Sequence, residues 1–257
     1  MIDAKAIASQ LLDARRDRVP IAPFTDSEPG FDLATAYEAQ GLFVQGLAEA
    51  GERVVGAKLG LTSRAKQEAM GLTEPLSGWL TDAMVLEPGV AVPLEQLIQP
   101  RAEPEIAFLL ARPLEAPATV TSVLAATEAV FCAVDILDSR YEHYRFALPD
   151  VVADNCSSGA FVLGPRARRP GELEDLRLLG CVWRHRGEIV ATAAGAAAMG
   201  HPAAPVAWLA NRLAATGEAL PAGSIVLSGG LTAPVPLTPG TSVTAEFDGL
   251  GTVEVWA

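Results

Sequence analysis

The sequence predicts an α+β fold in which a small N-terminal helical region precedes a large mixed β-sheet that is curved or rolled. Over the first fifty residues, apolar side chains recur at the spacing of an amphipathic helix. From residue 53 onward, short runs rich in strand-forming residues alternate with Gly and Pro. Two pairs of these runs flank sequences typical of tight turns, so we expect antiparallel pairing to dominate the sheet.

The helical region covers residues 1–52. The spacing of Leu33, Tyr37, Val44 and Leu47 predicts a helix, and Gly51 stands where a helix C-terminus favours glycine. The β-rich region covers residues 53–257. Because no repeat, low-complexity tract or linker separates the two regions, we expect one compact unit.

The β-rich region divides into strands, two hairpins and two further helices. Hairpin turns are predicted at residues 186–187 and at residues 248–251. Helices are predicted at about residues 63–70, closed by Gly71, and directly after Pro202. The predicted strands are VVGAKLGL, EIAFLL, AVDIL, GAFVLG, LLGCVW, SIVLS, SVTAEF and TVEVW.

Composition excludes several classes of function. The 257 residues carry a formal net charge of −12 at pH 7, which disfavours a nucleic-acid partner. No apolar stretch reaches the roughly 18 residues of a transmembrane helix, and charges interrupt the N-terminus where a secretory signal needs an apolar core. We therefore expect a soluble cytoplasmic protein with no membrane partner. The motifs of α/β-hydrolases, P-loop enzymes and Rossmann dehydrogenases are missing from the sequence.

The cysteines and histidines argue against a zinc or redox centre. Cys132, Cys156 and Cys181 lie far apart with no Cys-x-x-Cys pair, and the three histidines are equally scattered. We expect the cysteines to be buried and reduced. A metal in this protein would therefore have to be bound by oxygen ligands.

Two glutamates begin the most informative strand, in the segment RAEPEIAFLL. Because side chains alternate along a strand, Glu103 and Glu105 share one face, and both faces become apolar further along. Such a strand is usually covered on both sides, where unpaired carboxylates would cost several kcal/mol. We therefore expect a cation beside them. For an isolated pair of this kind, a solvated loop over residues 101–105 is the alternative.

Asp135 supplies a third carboxylate from a second apolar strand, between Val134 and Ile136. Three carboxylates offer the oxygen ligands that Mg²⁺ prefers and leave positions for water or substrate. Asp138 is the competing third ligand. Three residues further along a continuous strand it would face the other side, and it is better placed to pair with Arg140.

Lys58 is the single charge in the apolar strand VVGAKLGL. Its same-face neighbours Gly56 and Gly60 lack side chains, which leaves space for a ligand beside it. A buried lysine predicts an anionic substrate or proton transfer, whereas a lysine whose amine reaches water at the sheet edge is the alternative. The polar segment 154–159 could cradle a carboxylate, although turn chemistry explains most such clusters.

Several long segments resemble the 2-keto-4-pentenoate hydratase / 4-oxalocrotonate decarboxylase family of the fumarylacetoacetate hydrolase superfamily. They occur in order from about residue 30 to the C-terminus and include GAKLGLTSRAKQEAMG, EPLSGWLTDAM, QPRAEPEIAFLL, DILDSRYEHYRFALPDVVADNCSSGAFVLG, AAGAAAMGHP and LSGGLTAPVPLTPG. The segments TSRAKQEAMG and DSRYEHYRFALPDVVADN are more similar to the decarboxylases than to the hydratases. The resemblance implies a fumarylacetoacetate-hydrolase-like mixed β-sheet roll.

The resemblance also implies an enzyme dependent on Mg²⁺ or Mn²⁺, with Glu103, Glu105 and Asp135 as metal ligands. Relatives usually carry Glu where this chain has Asp135. Lys58 and Asp82 are the implied catalytic residues. The implied substrate-binding residues are Ser157, Ser158, Ser228 and Thr232.

The implied reaction is decarboxylation of 2-oxohex-3-enedioate in meta-cleavage aromatic catabolism. Loss of CO₂ from this 2-oxo dicarboxylate pushes electrons through the alkene onto the keto oxygen, where a chelated metal stabilises the developing charge. A hydratase that adds water to 2-hydroxypenta-2,4-dienoate is the runner-up, since it needs the same metal and electron sink. A non-catalytic partner subunit is the second alternative. The resemblance further implies a homo-oligomer and a complex with a vinylpyruvate hydratase.

Overall fold

The described residues of this computed structural model, 3–63, 67–68 and 74–257, form twelve strands. They are β1 (Val54–Gly60), β2 (Leu76–Thr81), β3 (Val85–Leu86), β4 (Arg101–Leu110), β5 (Thr127–Leu137), β6 (Ser158–Leu163), β7 (Gly180–His185), β8 (Glu188–Ala194), β9 (Ile225–Leu227), β10 (Val235–Pro236), β11 (Ser242–Phe247) and β12 (Gly251–Trp256). Every predicted strand is present.

The strands make two sheets. Eight of them form a mixed sheet in the order β2-β1-β9-β4-β5-β6-β3, with β10 paired to β4, and the other four form a sheet in the order β12-β11-β7-β8. Antiparallel pairs dominate as expected; among the described ladders, β1–β9 and β3–β6 are parallel. The predicted α+β class with a large mixed sheet is therefore confirmed.

Both predicted hairpins are confirmed. The β7–β8 turn consists of Arg186 and Gly187, with φ of 54° and 81°, and such positive values match the twist of a tight hairpin. The β11–β12 turn contains Gly249 and Gly251, with φ of 71° and 87°. Glycine therefore stands where the turn needs left-handed backbone.

Five helices are described: α1 (Ala4–Asp17), α2 (Leu33–Glu49), α3 (Val120–Ala126), α4 (Leu148–Ala153) and α5 (Ala203–Ala214). The side chain of Asp32 caps α2 by accepting from the Thr35 amide, and Gly51 follows that helix at φ 99°, as the sequence predicts. The helix predicted after Pro202 is α5. The helix predicted at residues 63–70 and its closing Gly71 lie outside the described residues, apart from residues 63, 67 and 68.

The eight-stranded sheet is covered on both faces, as the double apolar pattern of β4 predicts. On one face, Ile106 of β4 belongs to a core shared with Trp183 of the second sheet and Leu209 of α5. On the other face, Ala107 belongs to a core shared with Phe43 of α2. The N-terminal helices therefore cover the face of β4 that also carries the two glutamates.

The cysteines are free and buried, which confirms the prediction made for them. Among the helices of the described segments, none combines the length and the apolar character that crossing a membrane requires.

Candidate active site

Three carboxylates from two neighbouring strands meet on the helix-covered face of the large sheet. Glu103 lies directly opposite Asp135 in the antiparallel β4–β5 ladder, and Glu105 follows two residues later on the same face. One oxygen from each of the three side chains lies within 4.8 Å of the other two. All three residues are buried, and Glu105 and Asp135 are completely so. Strand alternation and register thus bring together three oxygen donors in the interior.

Lys58 reaches the same cluster from β1. It lies opposite Leu227 of β9, and Leu227 lies opposite Ala107 of β4, two residues from Glu105 on the same face. The Lys58 ammonium forms an ion pair with Asp135, and both side chains are almost completely buried. The alternative of a lysine whose amine reaches water at the sheet edge therefore does not describe this residue.

Burial and crowding change the pKa values of the cluster. Burial lowers the pKa of Lys58, but the contact with Asp135 and the charges of Glu105 and Glu103 raise it, and the net pKa lies above its ordinary value. Burial, followed by the negative charges of Asp135 and Glu103, raises the pKa of Glu105 well above its ordinary value. The carboxylates therefore favour the charged form of Lys58, whereas burial and crowding disfavour the ionised form of Glu105.

A glycine pair after β9 holds the two glutamates in position. The Gly229 amide donates a hydrogen bond of 2.6 Å to Oε2 of Glu105. Gly230 packs so closely on Glu103 that a Cβ at this position would lie 2.1 Å from the carboxyl carbon. The resemblance places both glycines in the SGGLT segment that borders the substrate, but it gives them no role, because the role of a glycine depends on what lies against it in the fold.

A cavity of about 270 Å³ opens beside the cluster. Its polar wall includes Lys58, Glu103, Ser157 and Arg101, of which sequence reasoning missed Arg101. Its apolar wall is formed by Leu59, Leu61, Leu76, Leu137, Phe146, Val151 and Pro234. An anionic ligand in this cavity would meet cations and carboxylates on one side and hydrocarbon on the other.

Three consecutive residues with left-handed backbone form part of the cavity wall. Asn155, Cys156 and Ser157 have φ of 49°, 52° and 54°. The Asn155 side chain holds this turn by accepting from the Trp79 amide at 2.7 Å and donating to the Trp79 carbonyl at 2.8 Å. Non-glycine residues keep this backbone when surrounding contacts fix it, which is typical of functional sites. The turn brings Cys156 and Ser157 of the predicted polar segment to the cavity.

The other implied substrate-binding residues lie outside the set of described residues that line the cavity. Ser158 and Thr232 donate their hydroxyls to backbone carbonyls close to them in sequence, at 2.7 and 3.2 Å. Ser228 is completely buried. Of the four serine and threonine residues named from the sequence, Ser157 is the one that the structure brings to the cavity.

The structure does not bring Asp82 into the site. This carboxylate follows β2 and accepts hydrogen bonds of 2.9 Å from both the amide and the guanidinium of Arg53. The hydrogen bonds from Arg53 lower the pKa of Asp82, and the pair lies at the protein surface. Asp82 therefore belongs to a surface ion pair rather than to the cavity wall.

The pairing predicted for Asp138 is wrong. Its carboxylate accepts from the backbone amides of Ile98 and Gln99, at 3.0 and 2.8 Å, and so closes a loop. Arg140 instead forms a buried ion pair with Asp154. Asp138, the less favoured candidate for the third metal ligand, is thus already hydrogen-bonded to the backbone.

The space predicted beside Lys58 is present on one side. Gly60 lines the cavity. A Cβ at Gly56, however, would lie 1.8 Å from the carbonyl oxygen of Ile225, so this glycine permits the close approach of β9 and leaves no space for a ligand.

Comparison with known proteins gives consistent matches over nearly the whole chain. Residues 53–255 match the family model described as fumarylacetoacetate (FAA) hydrolase C-terminal. The chain is 43% identical to a 4-oxalocrotonate decarboxylase of Pseudomonas sp. (strain CF600), over 96% of this chain and 94% of that protein. It is 41% identical to a 2-hydroxyhexa-2,4-dienoate hydratase of Comamonas testosteroni, over 99% of this chain and 98% of that protein. A solved structure of 4-oxalocrotonate decarboxylase from Pseudomonas putida G7, complexed with magnesium and adipate, matches with a TM-score of 0.94 at 39% identity and covers 98% of this chain and 96% of that one.

Proposed function

The chain belongs to the fumarylacetoacetate hydrolase family, and from this membership we propose that it catalyses the metal-dependent decarboxylation of 2-oxohex-3-enedioate, also called 4-oxalocrotonate. The observation that carries the proposal is the buried cluster of Glu103, Glu105 and Asp135 beside Lys58, at the edge of a partly apolar cavity. The near full-length similarity to 4-oxalocrotonate decarboxylases supports the choice of substrate.

The cluster fits a hard divalent cation such as Mg²⁺ or Mn²⁺. Oε1 of Glu105 is buried and has no hydrogen-bond partner within the part of the chain that the structure describes. The candidate ligands Glu103, Glu105 and Asp135 all offer carboxylate oxygens, which Mg²⁺ prefers. A bound cation would also offset the repulsion between the carboxylates that, together with burial, raises the pKa of Glu105. When bound, it supplies a Lewis acid for the keto oxygen of the substrate.

Lys58 acts as a hydrogen-bond or proton donor to the substrate in this reaction. Burial lowers the pKa of Lys58, but the charges of Asp135 and Glu105 raise it, which favours the ammonium form and suits Lys58 to donate a hydrogen bond or a proton to the substrate. The ion pair with Asp135 fixes the ammonium at the cavity wall. We infer that Lys58 stabilises negative charge on the substrate there.

The apolar wall favours loss of CO₂. The reaction breaks the C5–C6 bond, moves its electron pair through the alkene onto the keto oxygen, and takes up one proton to give 2-hydroxypenta-2,4-dienoate. The departing group changes from a charged carboxylate to a neutral molecule. Leu76, Leu137, Phe146 and Val151 line part of the cavity with hydrocarbon, which disfavours the charged form.

The test is to incubate the purified chain and Mg²⁺ separately with 2-oxohex-3-enedioate and with 2-hydroxypenta-2,4-dienoate, each with an EDTA control. We expect EDTA-sensitive CO₂ release from the first compound. Loss of the dienoate without CO₂ release would instead establish the second candidate, a hydratase, which the 41% identity to a hydratase over 99% of the chain favours. Inactivity toward both compounds would favour a non-catalytic subunit.

We also propose that the chain forms a homo-oligomer and a complex with a vinylpyruvate hydratase. The proposed product, 2-hydroxypenta-2,4-dienoate, is a substrate for a hydratase, so a complex would shorten its transfer. Ile189 and Val190 of the edge strand β8 are about half exposed, at 55% and 47%, and offer an apolar contact surface. Light scattering of the purified chain tests the first assembly, and co-purification with a tagged hydratase tests the second.

A further inference from the structure

Arg101 places a cation in the cavity wall, and the described residues give it no acidic partner. It begins β4 on the same face as Glu103, two residues away, and both residues line the cavity. Within the described segments, no carboxylate lies at ion-pair distance from its guanidinium. Lys58, the other cation among the described lining residues, is already paired with Asp135. A guanidinium in this position is available to an anionic ligand.

Tyr144 holds the guanidinium in place. The guanidinium carbon of Arg101 lies 3.9 Å from the centroid of the Tyr144 ring. The phenol donates a hydrogen bond of 3.0 Å to the carbonyl of Leu137, which is the residue opposite Arg101 in the β4–β5 ladder. Stacking occupies the face of the guanidinium and leaves the N–H groups at its edge, which bind carboxylates in pairs. The stack therefore orients a carboxylate-binding group before any ligand arrives.

The spacing along β4 matches the proposed substrate. Arg101 and Glu103 are two positions apart along β4, so their backbones are about 7 Å apart, which is close to the span of an extended six-carbon chain. A substrate whose keto end lies against the carboxylate cluster would therefore place its other end near Arg101.

We propose that Arg101 binds the distal carboxylate of the substrate and selects six-carbon 2-oxo dicarboxylates over 2-oxo acids with an uncharged tail. This inference rests on the proposed function. The distal carboxylate leaves as neutral CO₂, so its ion pair with Arg101 is present in the bound substrate and weakens as the reaction proceeds. Loss of Arg101 therefore raises KM and does not lower kcat, whereas general damage to the site would lower kcat.

The binding experiment compares 2-oxoadipate with 2-oxohexanoate, two saturated ligands of equal chain length that differ in the distal carboxylate. Calorimetry in the presence of Mg²⁺ measures both on the full chain. We expect the unmodified protein to bind 2-oxoadipate about ten- to a hundredfold more tightly. Arg101→Met should abolish this preference, and Arg101→Lys should retain part of it. The matched control is Arg112→Met, an exposed arginine whose guanidinium donates to a backbone carbonyl, and it should keep the full preference.

The inference is overturned if Arg101→Met keeps the preference, or if the unmodified protein shows none. Arg101→Gln provides a neutral polar replacement should the Met variant fail to fold. The outcomes also separate this inference from the proposed function. A preference that depends on Arg101, in a protein that releases no CO₂, would leave this inference standing and refute the decarboxylase proposal. CO₂ release with a KM unchanged by Arg101→Met would support the decarboxylase proposal and refute this inference.

Discussion

Gly230→Ala tests whether Glu103 must lie where the fold places it. A Cβ at this position would lie 2.1 Å from both the carboxyl carbon and Oε2 of Glu103, whereas contacts below 3.4 Å are already tight for a Cβ. The carboxyl group must therefore move by more than about 1 Å. Because it is the end of a flexible side chain and Gly230 does not have left-handed backbone, the protein can accept alanine with little loss of folding stability.

The expected effect falls on metal binding. Metal–ligand distances vary by about 0.2 Å, so a displacement of this size removes Glu103 as a ligand. Disturbing the support of one ligand in a metal site weakens binding about ten- to a hundredfold, which corresponds to about 1.4 to 2.8 kcal/mol. We expect Gly230→Ala to lose that much affinity for Mn²⁺ while its unfolding temperature in EDTA stays close to that of the unmodified protein.

Calorimetric titration with Mn²⁺ and thermal unfolding in EDTA provide the two measurements. Gly171→Ala is the matched control, because nothing lies within 4 Å of a Cβ at that position. A folded Gly230→Ala protein that binds Mn²⁺ as tightly as the unmodified chain would refute the assignment of Glu103 as a ligand.

Three further substitutions test other parts of the site. Glu105→Gln should weaken Mn²⁺ binding at least tenfold and raise the unfolding temperature in EDTA, because it removes a crowded buried carboxylate; unchanged Mn²⁺ affinity in calorimetry would remove Glu105 from the ligand set. Lys58→Met should preserve Mn²⁺ binding but lower kcat by about a hundredfold or more, and normal turnover would make Lys58 purely structural. Asn155→Ala should lower the free energy of unfolding by about 1 to 3 kcal/mol, since the half-buried Trp79 backbone groups lose their partner; an unchanged urea midpoint would contradict this account of the left-handed turn.

Alternation of side chains along a strand was sufficient to predict that the two glutamates share a face. The sequence also indicated that Asp135 and Lys58 were anomalous charges in apolar strands. What joins them is strand order and register. Glu103 faces Asp135 across the β4–β5 ladder, and Lys58 reaches Asp135 because β9, far along the chain, lies between β1 and β4. Pairings between strands so distant in sequence leave no local pattern.

The contacts that the sequence alone did not show depend on close three-dimensional neighbours. Asp82 was named from a resemblance, yet Arg53 of the adjacent strand end engages its carboxylate at the surface. Gly229 and Gly230 act through the glutamates that touch them. In the sequence, Arg101 is an ordinary charged residue at the start of a strand. Its place in the cavity wall, stacked on Tyr144, is apparent only in the folded structure.

The central claim is that three carboxylates hold the divalent cation that the reaction requires. The most direct measurement is the anomalous difference map from crystals of the full chain grown with Mn²⁺. We predict one strong peak bonded to Glu103, Glu105 and Asp135 and next to the cavity that contains Lys58. A Mn²⁺ peak at other residues, or an ordered carboxylate cluster without a peak at saturating Mn²⁺, would contradict the account.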